Sequence, residues 1–224
     1  MRFVYGFNPE LVQALGYGKQ IHNIINILHK RAQESKKLPV LKDAEELIET
    51  NFYLRYAAEQ QLELLKKSAL DCLKNYLIMW KEDFGLTVKS ERAFELDVEN
   101  ALIAGSIDLL KWQKQEDPTV LEIVDFKTGK NRIESDEMDL QIRLYTHAAR
   151  EALDLDVQKA YLHFLDDNSA FRREVSIHKG QLEDAMKTIG QAVKGVTSRS
   201  FNRNPKSRQV CKGCDWNAIC PKRN

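Results

Sequence analysis

An aspartate and a lysine stand two residues apart at the end of an apolar run, Val120-Leu121-Glu122-Ile123-Val124-Asp125-Phe126-Lys127. On an extended strand side chains alternate, so Leu121, Ile123, Asp125 and Lys127 share one face and Glu122, Val124 and Phe126 the other. Both faces carry apolar residues, which predicts a strand covered on each side and a partly desolvated Asp125 and Lys127. A second acid, Asp108, is alone in the run Leu102-Ile103-Ala104-Gly105-Ser106-Ile107-Asp108-Leu109-Leu110. An unpaired carboxylate there is costly. If the two runs are neighbouring strands, Asp108 and Asp125 converge on one hard cation, Mg2+ or Mn2+, which takes oxygen ligands. Such a cation polarises a phosphodiester and acidifies a bound water, with Lys127 holding that water or the developing charge. These residue types therefore support metal-assisted phosphodiester hydrolysis. Taken alone, the Asp125–Lys127 spacing also fits a salt-bridged strand end.

The elements that must position these groups can be read from periodicity. Ile21, Ile24, Ile25 and Leu28, then Leu62, Leu65, Ala69, Cys72, Leu73 and Tyr76, recur at helical spacing. Pro39 and Asn51 punctuate the stretch from Leu11 to Trp80 into three helices. Two strands joined by a tight turn at Glu99-Asn100 are predicted between Leu86 and Gln113, and the strand ending at Lys127 follows. A helix over Glu137–Ala152, strands at Val157–Leu165 and Phe171–Ile177, and a helix over Gln181–Val193 complete the pattern. The expectation is an α/β fold, a mixed central β-sheet flanked by helices. Its parts are a helical N-terminal region (1–85), an α/β core (86–196) and a basic, cysteine-containing tail (197–224).

With 224 residues, 43% of them hydrophobic and 30% charged, the chain can bury one sizeable core, and collagen-like, disordered and disulfide-scaffold classes are excluded. No run of about eighteen apolar residues occurs and no secretory signal opens the sequence, so a soluble, cytoplasmic protein without a membrane partner is expected. The net charge of +1 names no partner. From Lys187 onward, however, nine basic residues face one acid, Asp215. Such a tail suits a polyanion through counterion release, or is a solubilising terminus. Three of the four cysteines, Cys211, Cys214 and Cys220, cluster in that tail, which reads as metal binding rather than disulfides.

Gly105-Ser106-Ile107-Asp108, Ile123-Val124-Asp125-Phe126-Lys127-Thr128-Gly129 and Gln141-Ile142-Arg143-Leu144-Tyr145 resemble, in order, the motifs of the PD-(D/E)XK nuclease superfamily. The nearest resemblance is to its RecB-like, AddA-like branch, the C-terminal nuclease domain of UvrD-type helicase–nucleases. That branch carries an upstream Gly-x-x-x-His, matched by Gly18-Lys19-Gln20-Ile21-His22. The resemblance implies a restriction-endonuclease-like fold and a metal-dependent DNA nuclease, an exonuclease, serving repair or recombination on a single-stranded DNA end beside a helicase domain. It further implies that His22, Asp108, Asp125 and the backbone carbonyl of Phe126 ligate Mg2+ or Mn2+. Lys127 would be the catalytic lysine, and Gln141 and Tyr145 would support the site. Glu91 resembles a further family acid. Without the motif order, His22 reads as a boundary histidine and the Gln141–Tyr145 pair as packing with a hydrogen bond.

The tail spacing, C-x2-C-x5-C, resembles part of that branch's four-cysteine [4Fe–4S] staple, whose remaining cysteine lies upstream. None stands near Arg2-Phe3-Val4-Tyr5, so a fragment of a longer protein with an incomplete cluster is expected. Cys72 is the internal substitute, but it falls on the apolar face of a predicted helix, as a buried structural thiol would. Zinc on three cysteines and a fourth ligand is the competing reading. Two rival functions stand beside the nuclease: a catalytically silent DNA-binding scaffold, and a helical interaction protein with a zinc-binding tail. The second leaves Asp108 and the Asp125–Lys127 pair unexplained.

Overall fold

Apolar periodicity sets the helices and alternation sets the strands, and each buries its apolar face on the other. The computed structural model describes residues 14–114, 120–128, 136–166, 171–200 and 211. Helices α1 (Tyr17–Ser35), α2 (Leu41–Asn51) and α3 (Glu59–Met79) are followed by a short α4 (Glu82–Leu86). Strands β1 (Thr87–Val98), β2 (Ala101–Trp112) and β3 (Leu121–Lys127) lead to α5 (Asp136–Glu151), β4 (Val157–Phe164), β5 (Arg172–Glu174) and α6 (Lys179–Thr197).

The five strands form one mixed sheet in the order β1-β2-β3-β4-β5. β1, β2 and β3 pair antiparallel, β3 and β4 pair parallel through the α5 crossover, and β5 returns antiparallel. Glu99 and Asn100 both take positive φ, as the primed turns of a twisted hairpin require. The sheet is covered on both sides. Ile21, Ile24, Ile25 and Leu28 of α1 join residues of α2 and α3 with Leu109, Val124 and Phe126 of the sheet. Ile107, Leu121 and Ile123 join Ile142, Ala148 and Ala149 of α5 and Leu182 of α6. Each fully buried Ile or Leu contributes about 1.5–3 kcal/mol.

The α/β class, the mixed sheet and its helical cover are as expected from the sequence. Three details differ. The short α4 has no sequence counterpart, because five residues are too few to show a period. β5 is three residues long where Phe171–Ile177 was predicted, although Val175 N–H still donates to Ala160 O at 2.8 Å. α6 extends past both ends of Gln181–Val193. Among the described residues, no helix is long and apolar enough to cross a membrane.

A charged network lies buried between the sheet and the N-terminal helices. Asp83 of α4 meets Arg172 of β5 (2.5 Å) and Lys111 of β2 (3.3 Å), and Lys111 also reaches Glu122 of β3 (2.9 Å). Burial pushes the Asp83 carboxyl up, but Arg172 and Lys111 outweigh it and hold the group below its ordinary value. Arg172 also stacks 3.7 Å over the Trp80 ring and donates to His163 Nδ1 at 3.2 Å. His29 completes the layer: Thr87 Oγ1 donates to the Asp83 carbonyl, so it accepts from His29 Nδ1 at 2.7 Å. That leaves His29 Nε2 to accept from the Tyr76 hydroxyl at 2.9 Å.

Candidate active site

Asp108 and Asp125 are set by the pairing of β2 with β3. The register runs Trp112↔Leu121 to Leu109↔Val124, and one further step faces Asp108 with Asp125. There the backbone ladder gives way to a side chain, because Phe126 N–H donates to Asp108 Oδ2 at 2.7 Å. A charge-assisted bond of this kind fixes the carboxylate. A strand residue's N–H and C=O point the same way, so the Phe126 carbonyl also lies on the β2 side.

The hairpin changes faces at the same step. Ile107 packs with α5 and Leu109 with α1, although residues two apart on a regular strand share a face. Across from them, Ser90 Oγ donates to Asn26 Oδ1 of α1 at 2.6 Å, whereas Phe94 and Leu96 pack towards α5. Between them, Glu91 has φ 48°, a left-handed conformation rare for a non-glycine residue. This break turns Glu91 and Asp108 to the exposed border between the two layers. Ser106 Oγ then donates to Glu91 Oε2 at 2.7 Å.

α1 delivers the histidine. A Cβ added at Gly18 would collide with Thr128 Oγ1, so glycine there lets the helix lie close over the end of β3. One turn on, His22 Nδ1 is 3.4 Å from Asp108 Oδ2, and its ring packs edge-on against Phe126 at 6.0 Å. Ligand atoms of His22, Glu91 and Asp108 all lie within 4.8 Å of one another.

From the other side α5 supports the lysine. Lys127 Nζ lies 2.6 Å from Asp125 Oδ2 and donates to Gln141 Oε1 at 2.5 Å. Gln141 Nε2 in turn donates to Tyr145 Oη, one turn along, at 2.7 Å. Lys127 meets Asp125 Oδ2 as a close charge contact out of hydrogen-bond alignment, so this deeply buried oxygen has no aligned donor.

The electrostatics follow from crowding. Asp125 is only 2% exposed, and burial followed by the Asp108 charge pushes its carboxyl up to about 6 against the pull of Lys127. Burial disfavours charge on His22, but Asp108 first, then Asp125 and Glu91, outweigh it, and the imidazole is held above its ordinary value. Tyr145 is pushed up to about 12, first by burial, with the nearby carboxylates adding to it, and remains a neutral hydroxyl at neutral pH. The donor set is one imidazole nitrogen with several carboxylate oxygens crowded together. Such a set fits Mg2+ or Mn2+.

His22, Glu91, Asp108, Asp125, Lys127, Gln141 and Tyr145 therefore form one connected polar set around the inner strands β2 and β3. Glu91 stands with His22 and Asp108 in the tight trio, whereas Asp125 is turned towards Lys127. Gly129, Cys214 and Cys220 lie outside the described residues; Cys211 is partly buried and makes no disulfide among the described residues. Cys72 is buried on α3 and donates to Asp166 Oδ1 at 2.9 Å. Sequence reasoning missed Ser106 and Asn26, and the polar stripe Lys19, Gln20 and Asn23 that lines a cleft of about 600 Å3 in front of the trio. Their spacing of three and four residues along one helix was the available signal.

A family model described as the PD-(D/E)XK nuclease superfamily matches residues 2–221. No curated protein matches the chain. Among solved structures, a protein from Eubacterium rectale described as a candidate exonuclease is similar with a TM-score of 0.56 and 12% identity, over 97% of this chain and 78% of that one. A second, SSO0001, has a TM-score of 0.44 and 15% identity, over 91% of this chain and 86% of its own.

Proposed function

Since the chain belongs to the PD-(D/E)XK nuclease superfamily, we propose that the cleft between α1, the β1–β2 hairpin and α5 is a divalent-metal-dependent deoxyribonuclease site. The observation that carries this reading is the convergence of His22, Glu91 and Asp108 within 4.8 Å, beside the buried Asp125–Lys127 pair. His22, Asp108, Asp125 and the Phe126 carbonyl would hold Mg2+ or Mn2+, with Glu91 as a further carboxylate. When bound, the cation supplies Lewis-acid polarisation of the phosphodiester and acidification of a water.

The protein's own groups do the rest. Lys127, held by Gln141, presents its ammonium where negative charge develops on the phosphate. Tyr145 fixes Gln141 and so the reach of Lys127. The Phe126 amide keeps Asp108 aimed at the cleft. We assign the chain further to the RecB-like, AddA-like branch, on the order Gly18…His22, Gly105…Asp108, Asp125…Lys127, Gln141…Tyr145. In that assignment residues 1–85 belong to the nuclease domain, and the substrate is a single-stranded DNA end supplied by a helicase during repair or recombination. Cys211, Cys214 and Cys220 would then supply three of the four thiolates that a [4Fe–4S] cluster takes, so on these three alone iron and sulfide in anaerobically purified protein should be substoichiometric, and lower still on Cys211→Ser.

The nuclease reading is tested by Asp108→Ala. Mg2+- or Mn2+-dependent cleavage should disappear, whereas stability in metal-free buffer should change by no more than about 1 kcal/mol. Two effects oppose: repulsion from Asp125 is relieved, and the Phe126 N–H loses its acceptor. Retained metal-dependent cleavage overturns the assignment.

A further inference from the structure

Between α2 and α3 the chain reads Phe52-Tyr53-Leu54-Arg55-Tyr56, with Phe52 and Leu54 turned inward and Tyr53, Arg55 and Tyr56 outward. Phe52 (4% exposed) and Leu54 (2%) are buried, whereas Tyr53 (65%) and Tyr56 (40%) are turned to solvent. The buried pair ties the loop to the start of α1: the Tyr17 ring meets Phe52 edge-on at 6.0 Å, and Leu54 Cδ2 lies 3.8 Å from where a Cβ at Gly16 would be. The loop's position is therefore set by the same helix end that brings Gly18 over β3 and His22 to Asp108. At 1.5 Å per residue, that anchor is about 8 Å along α1 from His22.

The exposed side of the loop has the chemistry of a stacking surface. Two phenol rings face water with no role in the core. Arg55 Cζ sits 5.7 Å from the centre of the Tyr56 ring, and the guanidinium makes no ion pair among the described residues. Lys19, exposed at the mouth of the cleft, likewise makes none. Glu49 and Glu63, on the helices flanking the loop, are both held by Lys66, at 2.9 and 3.4 Å. Aromatic faces combined with unpaired cations suit a chain of unpaired bases on a phosphate backbone, because every base has a π-face and every linkage a negative charge. A paired duplex keeps its base faces internal and would gain only the charge contacts.

We propose that Tyr53, Arg55 and Tyr56 form a stacking platform for an unpaired nucleic-acid strand, which passes the Lys19 end of α1 to reach the cleft. The proposal rests on the nuclease reading for the strand's destination, but not for its binding. It adds a second contact region that holds the strand a few nucleotides from the trio.

The test is fluorescence anisotropy of the full chain with a labelled single-stranded oligodeoxynucleotide and a duplex of the same sequence in metal-free buffer, with cleavage kinetics alongside in Mn2+. Tyr53→Ala with Tyr56→Ala should weaken single-strand binding about tenfold or more, leave duplex binding and the melting temperature unchanged, and raise KM without lowering kcat. Tyr53→Phe with Tyr56→Phe should retain binding, because stacking needs the ring and not the hydroxyl. Unchanged single-strand affinity in the alanine variant overturns the platform, as does an equal loss for duplex and single strand. A wild type that binds no single strand also overturns it, and leaves the loop as a surface for another protein. Wild-type binding through the loop without cleavage upholds the platform and removes the nuclease reading. Cleavage that ignores the loop does the reverse.

Discussion

Lys127 holds Asp125 at 2.6 Å and is itself held by Gln141, so it belongs to both the acidic site and the α5 layer. Replacing it with Met removes the cation while leaving the proposed metal ligands in place. Cleavage should fall by about a hundredfold or more, the scale of losing one electrostatic stabiliser. Mn2+ affinity, measured by calorimetry, should persist. The pH profile gives a second reading. Burial and Asp108 raise the Asp125 carboxyl to about 6, and Lys127 first, then His22, oppose them. Without Lys127 the group should titrate higher still, so the acid limb of the activity profile should move to higher pH. An unmoved limb would mean that Lys127 does not set the charge of Asp125.

Two local departures from regular structure create the site at the level of elements. The left-handed Glu91 lets one hairpin serve both layers of the fold and leaves Glu91 and Asp108 at their border. Gly18 lets α1 approach the end of β3 closely enough for His22 to meet Asp108. Gly18→Ala should therefore push the start of α1 off β3, because the β-branched Thr128 cannot rotate freely away. Overpacking of this kind costs about 1–3 kcal/mol and should reduce cleavage more than it reduces helical content. Thr128→Ala removes the hydroxyl that the new methyl would meet. The double variant should regain activity and stability, and a double-mutant cycle on melting and cleavage measures that coupling. Additive losses would show that helix approach is not governed by this contact.

The buried network around Asp83 joins α4 and strands β2, β3 and β5, and His29 brings α1 to it, so its titration is a property of the whole molecule. Burial lowers His29 to about 4, and burial followed by the Arg172 charge lowers His163 well below its ordinary value. Both are neutral in the folded protein. The unfolded chain binds protons at these positions below about pH 6.5, before the folded form does. Stability is therefore full above 6.5 and declines as pH falls towards the folded values. Each such histidine adds at most about 1.4 kcal/mol per pH unit to the slope. Urea denaturation between pH 7 and 4.5 should show a shallower decline for His29→Gln than for the wild type, from a lower starting stability, since two hydrogen bonds are perturbed. Parallel slopes would remove His29 from the acid response.

The local pattern of the sequence determined much of this protein. Period two placed Asp125 and Lys127 on one face of a doubly covered strand, and period 3.6 placed Gln141 and Tyr145 together on α5. The order of the motifs singles out His22 and Asp108, and the family resemblance adds Glu91 only as a further acid. Only the tertiary structure decided which of these groups meet. Asp108 and Asp125 face each other because a hairpin register was chosen, and Asp108 is aimed by a backbone N–H eighteen residues away. Glu91 enters the trio through one left-handed residue inside a strand, which no alternation pattern encodes. Arg172 pairs with Asp83 across 89 positions of chain. Periodicity is set by each residue's near neighbours and is visible in the sequence. Long-range pairing of charges depends on how whole layers stack, and the burial that makes those charges matter exists only after they do.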